Sequence, residues 1–318
     1  MKRSYPFILL VALLAQCTGE FRKEPDLQLT IDKDHPVQLR FNPSPGSVYC
    51  YDTENEIAIE VDMEGKKIKN RNKSTIINTY SVSKDTGGGF RFNIRYNKIK
   101  TKTENGDIVT EADADNAALS VYPLEKMLGI VKDQDINVFV DVSGKVKAIS
   151  GYDEVKAKLM EGFAPDDTYS RDIARAQWDK VIGSGMIKEQ AGHIFNMTPD
   201  SMVYQGYQWK ARSIQRAEIP MNVTTTYTVS KIDPGNKIIV LSDATMTSVT
   251  TPAAGIIPVQ PEVVADLKGI QKGTIEIDAL SGMVIKSEIS GTIKGTIQVM
   301  GNTLPALIKT KLKIHRYP

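Results

Sequence analysis

Cysteine and histidine are scarce in this chain of 318 residues, which has two cysteines and three histidines. None of them has the spacing of a zinc motif such as C-x-x-C or H-E-x-x-H. Two cysteines also exclude a small fold that several disulfides hold together. The G-x-S-x-G nucleophile elbow of hydrolases is missing as well. We therefore expect a protein that is not an enzyme, with no catalytic residue, metal or cofactor.

An excess of one charge is absent too, since 40 Lys and Arg residues stand against 38 Asp and Glu residues. This balance excludes a polybasic nucleic-acid-binding protein. Hydrophobic residues make up 41% of the chain, which excludes disorder of the low-hydrophobicity kind. The length leaves room for one large domain or two ordinary ones.

No apolar stretch is long enough to cross a bilayer as a helix, which needs about 20 residues. The conspicuous run is residues 6–15, which follows Lys2 and Arg3 as in a secretory signal peptide. Those two basic residues account for the formal net charge of +2, so residues 17–318 are neutral overall. The sequence therefore predicts export.

The segment Leu14-Ala15-Gln16-Cys17 resembles a bacterial lipobox, in which the cysteine is acylated. Gln16 departs from the small residue preferred there, and an ordinary signal peptide cleaved nearby is the alternative. The resemblance implies a signal peptide over 1–16, a lipidated Cys17 and tether over 17–34, and one domain over 35–318. Acyl chains on Cys17 would hold the protein on a membrane, with the outer membrane preferred. The alternative is that the protein is secreted or periplasmic.

Apolar and polar residues alternate over 37–110 and again over 201–316, which predicts long strands. Between them, residues 152–196 have three one-sided apolar stripes, which predict helices. The stripes are Val155, Leu159 and Phe163; Ala174, Trp178, Val181 and Ile182; and Ile187, Ala191, Ile194 and Phe195. Residues 251–269 are predicted as a loop with a short helix near Glu262–Leu267. We expect an α+β fold: a long, strongly curved antiparallel sheet, or open half-barrel, with helices packed on its concave face.

The last predicted hairpin contains the candidate site. A turn at Gly301-Asn302 pairs residues whose numbers sum to 603, which places Lys294 opposite Lys309. Small residues interrupt the isoleucines of one face, and two interpretations are open. One is close packing of a helix on a curved strand; the other is an apolar groove for an acyl chain or another hydrophobic ligand. The predicted groove consists of Ile285, Ser287, Ile289, Gly291, Ile293 and Gly295.

The opposite face of this hairpin is basic. Lys309, Lys311 and Lys313 alternate along the last strand. A solvated face that resists strand pairing explains such a stripe, and binding of anionic headgroups is the alternative.

The whole layout resembles bacterial lipoproteins that carry a domain of unknown function. Besides Cys17, the resemblance rests on the segments 140–146, 151–155, 273–278 and 281–285. It implies no functional residues. More remotely, the architecture is similar to the half-barrels of periplasmic lipoprotein carriers. We expect a membrane-anchored envelope lipoprotein that binds a hydrophobic ligand or an acylated partner; the alternative is an assembly scaffold that engages another envelope protein.

Lipidation of Cys17 is directly testable. In cells grown with an alkyne analogue of palmitate, we expect the wild-type chain to be labelled and to sediment with membranes. Cys17→Ala removes the acylated thiol, so both the label and the anchoring should disappear, whereas Cys50→Ala should keep both. Equal labelling of all three proteins would contradict lipidation at Cys17.

Overall fold

The computed structural model describes residues 32–85, 87–119, 122–132, 134–164, 166–181, 184–195, 198–215, 219–249, 264–299 and 302–317. The predicted signal peptide and the predicted lipidation site, Cys17, lie outside these residues. Most of the predicted tether does too.

Fourteen strands, four α-helices and one 3-10 helix make up the described fold. The strands are β1 (Asp32–Leu39), β2 (Val48–Met63), β3 (Lys66–Asp85), β4 (Gly89–Asn105), β5 (Ile108–Asp113), β6 (Asp135–Val140), β7 (Val146–Ser150), β8 (Ser201–Gln205), β9 (Gln208–Gln215), β10 (Met221–Asp233), β11 (Lys237–Ser248), β12 (Val264–Asp278), β13 (Val284–Val299) and β14 (Asn302–Arg316). The 3-10 helix spans Ala114–Leu119, and the α-helices are α1 (Pro123–Val131), α2 (Tyr152–Glu161), α3 (Thr168–Val181) and α4 (Ser184–Phe195).

One antiparallel sheet of twelve strands organises the molecule. Its strand order is β7-β6-β4-β3-β2-β14-β13-β12-β11-β10-β9, and β5 pairs with β4 beside this path. Strands β1 and β8 form a separate antiparallel pair. Most neighbouring strands are hairpin partners in sequence, because antiparallel strands need only short turns between them.

The predicted fold class is wrong. The structure is mainly a large antiparallel sheet, without a strong curl, and it is neither an α+β fold nor a half-barrel with helices on a concave face. The periodicity identified helices and strands, but it carried no information on how much of the fold each of them makes up. The four helices are short, with 9 to 14 residues each, whereas β3 alone has 20 residues.

The helical segment contributes to the hydrophobic core at one end of the sheet. The Phe195 ring of α4 stacks on Phe92 of β4, with ring centroids 4.2 Å apart, and meets Tyr80 of β3 edge-on at 5.6 Å. Apolar residues from all three predicted stripes are buried there: Val155, Leu159, Phe163, Ala174, Trp178, Ile187, Ala191, Ile194 and Phe195. Ile182 lies outside the described residues.

The β13–β14 hairpin exists, but its predicted register is wrong by two residues. Observed partners sum to 601, as in Gly291–Thr310 and Val299–Asn302. The predicted Lys294–Lys309 pair therefore does not form, and Lys294 faces Leu307. A shift of two keeps every side chain on its predicted face, because strand side chains alternate with period two.

The segment predicted as a short helix near Glu262–Leu267 is the start of strand β12 where it is described. Ala265 and Leu267 are buried, while Asp266 and Lys268 between and after them are exposed. This alternation is that of a strand with one buried face.

The backbone conformation and close packing at Gly295 predict that a side chain at this position destabilises the fold. Its φ is +153°, and a Cβ built on it would lie 1.9 Å from the backbone oxygen of Asp266 on β12. We expect Gly295→Ala to lower the free energy of unfolding by about 2–4 kcal/mol, because overpacking and backbone strain add. Urea denaturation measures this loss. Gly235→Ala is the control, since no atom lies within 4 Å of its added Cβ; equal stability of the two variants would contradict the prediction.

Acid should weaken the fold through His193 on α4. Burial lowers the pKa of this imidazole from 6.5 to about 4. The unfolded chain then binds a proton at His193 more readily than the folded chain does. The contribution of neutral His193 to the free energy of unfolding is therefore fully present above pH 6.5 and is lost as the pH falls towards about 4. Thermal unfolding across this window should show a clear drop for the wild type. His193→Gln, which has no titrating group, should show a smaller one; identical pH profiles would contradict this role.

Candidate functional site

The two faces of the sheet differ sharply in charge. We call the face that carries Ile289 and Leu312 the inner face, and the opposite one the outer face. The inner-face positions are the odd-numbered residues 51–61 on β2, the even-numbered 70–82 on β3, the odd-numbered 221–229 on β10, the even-numbered 238–246 on β11, the odd-numbered 265–277 on β12, the odd-numbered 287–297 on β13 and the even-numbered 304–314 on β14. None of these positions carries Asp, Glu, Lys or Arg.

The predicted groove residues mostly lie together on this inner face of β13. Ser287, Ile289 and Ile293 are 0%, 5% and 1% exposed, respectively. Gly291 is buried too, and Gly295 is half-buried. The groove itself remains a prediction.

Ile285 departs from the row. The pairing of β12 with β13 shifts at this point, where Glu276 faces Lys286 but Ile277 faces Val284. Ile285 is the extra residue of the resulting bulge and is only half-buried. A strict alternation, as read from the sequence, contains no signal for such a shift.

Glycines on β12 receive the isoleucines of β13. Gly273 faces Ile289, and Gly269 faces Ile293. A Cβ on either glycine would lie 2.6–2.7 Å from a Cγ1 atom of the opposing isoleucine. The isoleucine side chains thus occupy the space that these glycines leave.

Buried apolar residues form two separate clusters along the strands. The first, which we call the proximal cluster, includes the helices and reaches Ile289 and Leu312. The second, the distal cluster, contains Ile57 on β2, Met246 on β11, Leu267 on β12, Ile293 on β13 and Ile308 on β14, with further members from the same strands and from β10.

A band of neutral polar side chains lies between the two clusters. On the inner face, Asn55 of β2 faces Ser74 of β3. Further along the same face, Gln271 of β12 and Thr310 of β14 flank Gly291 on β13, and Ser242 lies on β11. All five side chains are at least nine-tenths buried. We call Asn55, Ser74, Ser242, Gln271 and Thr310 the polar band.

Several atoms of this region have no hydrogen-bond partner in the protein. They include Asn55 Oδ1, Ser74 Oγ and Ser242 Oγ of the polar band, and the nearby Asn78 Oδ1 and Ser287 Oγ. The amide of Asn78 donates one hydrogen bond, at 2.8 Å to Tyr80 Oη, and leaves its oxygen unused. A buried polar group without a partner costs about 1–3 kcal/mol, so five such atoms on one face are a feature that requires an explanation.

Next to Asn55 the hydrogen-bond ladder of the sheet is interrupted. Strands β2 and β14 run side by side, yet over their described residues Arg316–Tyr51 is the one register pair between them. A backbone hydrogen bond from Tyr317 N to Cys50 O, at 2.9 Å, adds to this end of the contact. We call the remainder of the β2–β14 boundary the seam.

Polar contacts hold the strands together at the Tyr51–Arg316 end of this boundary, which we call the closed end of the seam. Tyr51 Oη donates a hydrogen bond of 2.7 Å to the Val284 carbonyl oxygen, and burial raises the pKa of this phenol. Arg316 approaches Asp278 at 3.7 Å and stacks over Tyr49, 5.5 Å from its ring centroid. The sheet is therefore tied across one end of the β2–β14 boundary.

The predicted basic stripe lies on the outer face, away from the polar band. Lys309, Lys311 and Lys313 face Thr292, Ser290 and Glu288. The Lys286 ammonium lies 3.0 Å from the Glu288 carboxylate, and this ion pair lowers the pKa of Glu288. These lysines and Glu288 are thus separated from the inner face by the sheet itself.

The sequence patterns did not single out the polar band. Asn70, Asn72 and Ser74 occupy inner-face positions of β3 and look like solvent-facing residues. The signal available in the sequence was the absence of charge from every second residue over the central part of β2, β3 and β10–β14.

Within the described ranges, no group of three or more His, Cys, Asp or Glu side chains is placed to hold a metal ion. No helix in this part of the chain is long and apolar enough to span a membrane.

Comparison with solved structures gives distant similarities, among them lipovitellin and an outer-membrane channel. Lipovitellin, studied for its lipid–protein interactions, has 10% sequence identity and a TM-score of 0.48, over 86% of this chain and 25% of the lipovitellin chain. An outer-membrane channel from Pseudomonas putida F1 has 7% identity and a TM-score of 0.24, over 87% of this chain and 98% of the channel. This chain thus spans a quarter of the length of the lipovitellin chain that it matches.

A search of curated proteins finds no match. A family of proteins of unknown function does match, over residues 87–284, which is well over half of the chain. The matched region extends from the turn before β4 to the start of β13, and includes the helices and eight of the twelve strands of the large sheet. The chain belongs to this family, DUF6263.

Proposed function

We propose that this protein is an exported envelope lipoprotein, anchored at Cys17, that binds a hydrophobic ligand on the inner face of its sheet and has no enzymatic activity. The observation that carries the proposal is the inner face itself. Seven strands contribute to it without a single charged side chain at the positions given above. Such a surface favours contact with hydrocarbon.

Long strands suit this function because they extend one apolar surface over a distance longer than an acyl chain. Strand β13 has 16 residues, which corresponds to about 50 Å at 3.3 Å per residue. The distal cluster includes Ile293 and Ile297 from the C-terminal half of this strand, beyond the polar band. An elongated ligand could therefore lie along the strands rather than across them.

An assembly scaffold is the second candidate function. The strand order ends at β9, and Ile214 on this edge strand is 58% exposed. An open strand edge is a template for pairing with another chain. The ligand experiment below separates the two functions, because a scaffold needs no lipid.

Native mass spectrometry of the full chain, purified from membranes in mild detergent, tests the main proposal. We expect a bound lipid in addition to any acyl chains on Cys17, and uptake of methyl oleate or 1-monooleoylglycerol after delipidation. The absence of both co-purified lipid and uptake would overturn ligand binding and favour the scaffold.

Two variants on β13 locate the bound lipid. Ile293→Lys puts a charge on the inner face, where it would have to be desolvated, so uptake should be lost. Thr292→Lys, one residue earlier on the outer face, should retain uptake. Circular dichroism checks that both variants are folded, and equal uptake by two folded variants would contradict a site on the inner face.

A further inference from the structure

We infer that the polar band next to the seam binds the neutral, hydroxyl- or amide-bearing head of an amphiphile whose hydrocarbon chain lies against the distal cluster. This inference rests on the proposed ligand-binding function and specifies the chemical class of the ligand. It is carried by the unpartnered buried atoms of Asn55 and Ser74 and by the interrupted ladder beside them.

The unpartnered atoms define what the head must offer. Asn55 Oδ1 accepts hydrogen bonds only, and the hydroxyls of Ser74 and Ser242 can donate or accept. Because Asn55 and Ser74 face each other across the β2–β3 ladder, one small head with two hydroxyl or amide groups could reach both. Each hydrogen bond so formed would satisfy a group that the protein leaves without a partner.

The charge distribution excludes an anionic head. A phosphate or carboxylate at the polar band would be desolvated and would find no Lys or Arg on the surrounding inner-face positions. The lysines of β14 lie on the outer face, opposite Thr292, Ser290 and Glu288. The head is therefore neutral.

The seam provides the route by which the head reaches Asn55. Separating two paired strands in the middle of a sheet would break a ladder of hydrogen bonds. Along the described residues of β2 and β14, that ladder consists of the Arg316–Tyr51 pair at one end. Opening the sheet at the seam would therefore break fewer backbone hydrogen bonds than opening it between strands that are paired along their length, while the closed end stays tied by Tyr51 and Arg316.

The distal cluster lies on the same side of the polar band as the open part of the seam. Ile57 of β2 and Ile308 of β14 belong to this cluster and border the seam from its two sides. A head held at Asn55 would therefore place its hydrocarbon chain among apolar side chains.

Three oleoyl compounds test the chemistry of the head on the delipidated full chain, with binding followed by displacement of a fluorescent lipid. They are 1-monooleoylglycerol, its 3-phosphate, and methyl oleate. The first is neutral with two hydroxyls, the second adds an anionic phosphate, and the third has no donor. We expect 1-monooleoylglycerol to bind at least about ten-fold more tightly than either of the others.

Variants of the polar band test its place. Asn55→Leu combined with Ser74→Ala removes the unpartnered polar atoms, so affinity for 1-monooleoylglycerol should fall about ten-fold while affinity for methyl oleate stays within about two-fold. The variant should also unfold at a higher temperature, because it buries fewer unsatisfied groups, so loss of binding would not reflect loss of the fold. Ser81→Ala, on the outer face of the same strand β3, is the matched control and should leave both affinities unchanged.

The outcomes separate this inference from the proposed function. If all three compounds bind equally, or if the phosphate binds best, the neutral head is wrong while ligand binding stands. If none binds, the proposed function fails as well. If 1-monooleoylglycerol binds best but the double variant binds it as tightly as the wild type does, the polar band is not the head site. A crystal structure of the loaded protein that shows only ordered water on Asn55 and Ser74 would overturn the inference in the same way.

Discussion

The alternation of side chains along unusually long antiparallel strands is the constraint on which this structure depends. Each strand has two faces, and a strand of 16 to 20 residues such as β2 or β3 assigns every second residue to one of them. Since pairing aligns the faces of neighbouring strands, a single parity error would move a charge into the interior. The chain contains 25% charged residues, yet the inner-face positions given above on seven strands carry none of them. Burial of one face and solvation of the other follow from this segregation.

The interior that results is not uniformly apolar. Neutral polar residues separate a proximal cluster, which the helices and the aromatic group around Phe195 complete, from a distal cluster built on β2 and β10–β14. The proximal end is stabilised by aromatic stacking and by the Tyr51 hydrogen bond. The polar band and the seam lie where those contacts stop. Unsatisfied polar atoms and an interrupted ladder lower local stability, and regions of low local stability are where proteins open to ligands.

Membership of a family of unknown function leaves the physical properties of the site as the guide to its role. A charge-free face with a neutral polar band is suited to hydrocarbon and to uncharged hydrogen-bonding groups, and it is unsuited to ions. The basic outer face is chemically independent of it, because the sheet lies between the two. The ligand proposed above would therefore contact a different face of the strands from the one that carries the lysines.

The sequence by itself determined which stretches are strands and which are helices over most of the described chain, and which side chains of β13 and β14 share a face. These properties are local, because they follow from periodicities of 2 and 3.6 residues. The number of strands joined in one sheet, the two-residue shift of the hairpin register and the bulge at Ile285 were decided by pairing, which period-two alternation leaves open. The prediction of an α+β half-barrel was wrong for this reason. The meeting of Asn55 with Ser74 and the juxtaposition of β2 with β14 were likewise decided by tertiary structure alone, since residues far apart in the chain become neighbours only when the sheet is complete.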